Sequence, residues 1–138
     1  MAKKPKKAWV YTPEKPAKQT VPDDLKAKVE AQARELVEKV LKPRYVLPPP
    51  NEPRFNYITD IWTKWHQSYF YFGATYACPG PNAISPTFES KFARLEFVGG
   101  DKFALSYMRH TGKWWEIFSS LSLDECLELV RDDPNFLA

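Results

Sequence analysis

From Phe55 onward the hydrophobic period changes to two, and runs of that period recur as far as Phe118. That pattern limits the possible folds more than any other feature. Tyr57-Ile58-Thr59-Asp60-Ile61-Trp62-Thr63-Lys64-Trp65 is dense in β-branched and aromatic residues, as is Tyr69-Phe70-Tyr71-Phe72-Gly73-Ala74-Thr75-Tyr76. These residue types suit a pleated, half-buried surface. The polar His66-Gln67-Ser68 between them is short enough for a hairpin. Three further strand-like runs follow: Phe92 to Val98, Phe103 to Met108 and Trp114 to Phe118. Gly99-Gly100-Asp101 and His110-Thr111-Gly112 separate them. Connections this short permit only antiparallel neighbours, so the spacing predicts a five-stranded meander. The Pro, Gly and Asn content of Cys78 to Ser90 reads as a loop.

Helices flank this sheet in sequence. Asp23 and Asp24 place acids in a first turn, and Leu25, Val29, Ala33, Leu36 and Val40 recur at helical spacing. Pro43 is expected to end that helix, and the proline-rich segment Pro43 to Pro53 to continue as a stiff extended connector. Near the other end, Ser122 and Glu125 have the spacing of a capping box, with Leu121 and Cys126 placed for a hydrophobic staple. Leu123, Leu127 and Val130 supply the inward face. Asp132-Asp133-Pro134 stops the helix, after which Phe136 and Leu137 are placed to tuck back. The fold class is α+β: an N-terminal helix, a roughly five-stranded antiparallel meander sheet and a C-terminal helix. With 138 residues, 43% of them hydrophobic, residues 22–138 suffice for a single domain.

Residues 1–21 read as a flexible Lys/Pro-rich arm with little to bury. The charge is unevenly shared. Residues 1–20 carry six lysines and one acid, a net of +5, so the formal +3 of the whole chain leaves −2 for the remainder. The basicity belongs to the arm. Cys78 and Cys126 show no disulfide framework, which favours a reduced, cytoplasmic setting. No apolar run approaches a membrane span, and the N-terminus lacks the apolar stretch of a secretory signal.

Several segments of the C-terminal half carry a resemblance. Ala93-Arg94-Leu95-Glu96-Phe97, Leu105-Ser106-Tyr107-Met108, the Gly112-Lys113-Trp114 turn and the closing Asp132-Asp133-Pro134-Asn135-Phe136 resemble small bacterial proteins of a domain-of-unknown-function type. In those, an N-terminal helix precedes a sheet with a strand-turn-Gly-basic-Trp-strand element. The resemblance covers residues 55–136 in outline. It implies the same fold and carries no known activity, so it transfers no functional residue.

The candidate sites are aromatic and basic. In Arg109-His110-Thr111-Gly112-Lys113-Trp114-Trp115, strand alternation sends the two tryptophans to opposite faces. Trp115 shares its face with Ile117, the core side, and Trp114 shares its face with Glu116, the wetter side. Trp62 lies with Asp60 and Lys64, whereas Trp65 aligns with Tyr57 and Ile61. Outward aromatics on one side of the sheet would form a platform on which bases stack while Arg109 and Lys113 meet phosphate. In the arm, Lys3, Lys4, Lys6 and Lys7 would meet further phosphates, with Trp9 as another stacking surface. The same platform could instead be covered by Trp9 and Tyr11, or by another chain. His66 and His110 are the only histidines, and neither they nor Cys78 sits in a catalytic or metal-ligand pattern. The expectation is a non-enzymatic binding module with no cofactor or metal, whose partner is single-stranded nucleic acid or RNA. The alternative is a protein-interaction or self-association module using the same aromatic face.

Overall fold

In the computed structural model, residues 20–49, 51, 55–81, 83, 85–109 and 111–138 are described. The strands are β1 (Tyr57–His66), β2 (Tyr69–Ala77), β3 (Thr87–Gly99), β4 (Lys102–Met108) and β5 (Trp114–Ser122). They form one sheet in the order β1-β2-β3-β4-β5, every pair antiparallel. The meander follows from its turns. Gln67 and Ser68 close the first hairpin, with Gln67 at φ 56°. Gly99 and Gly100, at φ 108° and 61°, take the positive-φ positions of the third connection.

Two strands outrun their expected lengths. β3 begins at Thr87, inside the segment whose composition suggested a loop. Thr87 to Ser90 pair with Ala77 to Ala74 because the far half of β2 needs a hydrogen-bonding neighbour. The rings of Tyr76 and Phe88 seal that end, stacked 4.9 Å apart and 3° from parallel. The loop is thus confined between Ala77 and Thr87, and Cys78 N–H donates to Pro86 O across its base at 2.8 Å. β5 likewise runs past Phe118 to Ser122, directly into the last helix.

The helices are α1 (Asp23–Leu36), a π turn (Val37–Leu41), α2 (Lys42–Tyr45) and α3 (Leu123–Asp132), followed by a 3₁₀ turn at Pro134–Phe136. Pro43 therefore does not end the first helix. It occupies the opening turn of α2, where a missing N–H costs little, just after the wider π turn has broken the α ladder.

All three helices pack on one side of the sheet. Val29, Ala33, Val37 and Leu41 come down from the first helical run, and Leu123, Cys126 and Val130 from α3. They meet Ile61, Phe70, Phe72, Leu95, Phe97, Phe103 and Leu105, the inward residues of successive strands. Phe136 is fully buried with its ring edge-on to Tyr107, whereas Leu137 stays 63% exposed. Burial pushes the Cys126 thiol up to about 12, so it serves as an inert apolar filler.

The start of α3 carries the reciprocal capping box. Glu125 N–H donates to Ser122 Oγ, and Ser122 N–H donates to Glu125 Oε1 at 3.0 Å. The hydrogen bonds from Ser122 hold the Glu125 carboxyl below the ordinary carboxylate range. A depressed folded-state value means its contribution is present above the unfolded value and lost as pH falls through the folded one. Ser122→Ala is expected to destabilise the domain by about 1 kcal/mol in urea melts. It should also reduce the loss of stability on acidification. An unchanged midpoint would show that the cap is dispensable.

Candidate functional site

The side of the sheet away from the helices is the functional candidate. Alternation sends Trp62, Lys64 and His66 outward from β1, and Tyr69, Tyr71, Gly73 and Thr75 outward from β2. Opposite them on β3 stand Glu96, Arg94, Lys91 and Glu89. A register shift between Phe72 and Gly73 allows this: Phe72 faces Ala93, yet Gly73 faces Lys91. The extra residue, Phe92, drops into the core beside Phe72, and Lys91 keeps its outward aim.

Small residues make room for large rings. A Cβ on Gly73 would lie 2.4 Å from the Trp62 ring, so the indole rests directly on the Gly73 backbone. Trp62 Nε1–H donates to Thr75 Oγ1 at 3.1 Å, which fixes the ring's direction. Across the sheet, Trp114 leans toward Tyr71, with ring centroids 5.8 Å apart, and Tyr71 lies 6.1 Å from Tyr69.

Cations interleave with these rings. The Arg94 guanidinium stands 4.8 Å from the Tyr69 ring centre and 5.0 Å from that of Trp114. Its Nη2 donates weakly to Ser106 Oγ at 3.5 Å, while its Nε is buried without a hydrogen-bond partner among the described residues. Lys91 Nζ sits 5.2 Å over Tyr71. The ion pairs lie elsewhere: Lys39 with Glu35, Lys42 with Glu38 and Asp60, and Arg131 with Glu128 and Asp132. Among the described residues, no carboxylate lies within ion-pairing distance of Lys64, Lys91 or Arg94. A cleft of about 420 Å³ opens between Trp62 and Trp114, bordered also by Tyr71, Glu89, Lys91 and Met108. A smaller one of about 210 Å³ adjoins it at Lys64, His66, Tyr71 and Lys91.

The structure brings Trp62 and Trp114 to one cleft. Arg109 goes elsewhere: its guanidinium lies 4.7 Å over the ring of Trp115. Met108 pairs with Trp114 on the outward side, so the next residue turns to the other face and Arg94 takes the place beside Trp114. Lys113 is exposed in the turn, where its carbonyl accepts from Arg109 N–H at 2.9 Å. Trp115 does stand opposite Tyr107 on the core side, yet it is 50% exposed and forms no part of the buried core. Lys3, Lys4, Lys6, Lys7 and Trp9 lie outside the described residues.

Tyr71, Lys91 and Arg94 enter the site from the structure. The alternation in Tyr69-Phe70-Tyr71-Phe72 signals two outward tyrosines. Nothing in the sequence signals the bulge that places Lys91. Among the described residues, no three His, Cys, Asp or Glu side chains gather as metal ligands would, and no helix is long and apolar enough to cross a membrane.

These features define an α+β domain clad by helices on one side of its sheet and carrying interleaved rings and cations on the other. The chain belongs to the family described as Domain of unknown function (DUF3024), whose model matches residues 21–137. No curated protein and no solved structure matches it.

Proposed function

We propose that this chain is a non-enzymatic cytoplasmic module that binds single-stranded nucleic acid, RNA included, on the outward face of its sheet. The N-terminal lysines add phosphate contacts. The observation that carries this reading is Arg94, clamped between Tyr69 and Trp114 and free of any carboxylate among the described residues. Rings that accept stacked bases, set among cations that meet phosphate, are what an unpaired strand requires. A charged donor left without an acid is most useful to an anionic ligand.

The aromatic walls could also suggest a cage for a quaternary ammonium group. Two of those rings, however, already face Lys91 and Arg94. A third cation placed there would be repelled, which favours an anionic strand.

The test is the salt dependence of binding to a labelled oligouridine, with and without residues 1–20. The affinity should fall with log salt at a slope of roughly 0.7 per phosphate neutralised. Deleting the arm should flatten that slope by about 3, one increment for each of Lys3, Lys4, Lys6 and Lys7. Failure to bind any single strand, alongside a salt-indifferent complex with another protein or a second copy of the chain, would replace this reading with a protein-docking one.

A further inference from the structure

The cleft between Trp62 and Trp114 carries one group that a surface for phosphate alone does not call for. Glu89 lies on β3 opposite Thr75, whose hydroxyl accepts the Trp62 indole N–H, and it borders the same cleft as Trp62, Tyr71 and Trp114. It is exposed and forms no ion pair among the described residues, although Lys91 stands two residues along the same face. A carboxylate beside a nucleic-acid path repels phosphate. Its presence calls for a ligand group with donors to offer.

The four bases differ sharply in that respect. The Watson–Crick edge of guanine presents two adjacent donors, N1–H and the N2 amine, which a carboxylate accepts as a pair. Cytosine and adenine each present one amine beside a ring nitrogen that repels the second carboxylate oxygen. Uracil presents one N–H flanked by two carbonyls. In a single strand these edges are unpaired and open to side chains. Hydrogen bonds to a charged partner are among the strong ones, and a paired set fixes orientation as well.

We propose that this cleft holds one guanine base of a single strand, stacked against its aromatic walls, with the Glu89 carboxylate accepting from N1–H and the N2 amine. Lys91 and Arg94 hold the flanking phosphates. The volume of about 420 Å³ lies within the range of small-ligand clefts, roughly 300–1,000 Å³. This inference rests on the nucleic-acid reading given above and adds base preference to it.

The experiment is fluorescence anisotropy on the full chain. The probes are a labelled oligouridine of about ten nucleotides and the same strand with its central residues replaced by guanosine, inosine, adenosine or cytidine. The guanosine strand should bind on the order of tenfold tighter than the others, because each charged hydrogen bond lost costs about that factor or more. Inosine, which keeps N1–H and lacks the N2 amine, should lose most of the advantage. Glu89→Gln and Glu89→Ala should bring guanosine and uridine strands to within about twofold of each other, chiefly by weakening the guanosine strand, since they remove the carboxylate that accepts its paired donors. Equal binding of all strands by the natural chain, or a guanosine preference that survives both substitutions, overturns the guanine site and leaves the nucleic-acid reading standing. Failure to bind any strand overturns both.

Discussion

Replacing Tyr71 and Trp114 together with alanine is expected to weaken the binding of single-stranded RNA by roughly a hundredfold or more while leaving the domain folded. Each stacked base is worth about 1–3 kcal/mol by alanine substitution. The two rings touch, with centroids 5.8 Å apart, so their separate losses will not simply add. Trp114 also forms one wall of the clamp around Arg94, and without it that guanidinium loses its fixed orientation. Both rings are only half-buried on the unclad face, and the aromatic pair itself contributes about 0.5–1.5 kcal/mol beyond its area. A drop of a few degrees in melting temperature is therefore the expected structural cost. Anisotropy with a labelled strand and a thermal melt on the same sample measure the two effects. Unaltered affinity in the folded double variant would remove the aromatic face from consideration.

One residue further along, the outcome reverses. Phe72 is fully buried, edge-on to Phe70 at 5.5 Å and packed against Phe92 at 6.3 Å. Phe72→Ala is expected to cost about 3–5 kcal/mol, the transfer free energy of the ring plus the cavity it leaves. For a domain of this size that lowers the melting temperature by on the order of 15 °C. Binding by whatever fraction remains folded should be nearly unchanged, because no atom of Phe72 reaches the outward face. A variant that melts normally would mean that Phe72 is not part of the core beneath the helices.

Most of the architecture is legible in the residue order, for identifiable reasons. The period-two runs fix the strands, the short glycine-bearing connections force antiparallel pairing, and Ser122 with Glu125 marks the start of α3 to the residue. The departures have one tertiary cause and one local one. Thr87 to Ser90 have loop-like neighbours but are drawn into the sheet by β2. Pro43 lies in a helix because a π turn precedes it. The site is less legible than the fold. Alternation separates Trp114 from Trp115 and Trp62 from Trp65, whereas the choice of Arg94 over Arg109 as the cation beside Trp114 depends on how rings lean across several strands. Sequence proximity favours Arg109, since it sits five positions from Trp114. The sheet brings Arg94 closer.

Cladding on one side alone gives neighbouring codons unequal freedom. Phe70 and Phe72 answer to the requirement that the chain fold at all, while Tyr69 and Tyr71, interdigitated with them on the unclad face, carry much less of that burden. Descendants of such a chain could remodel that face by changing every second residue of a few strands, without passing through an unfolded ancestor.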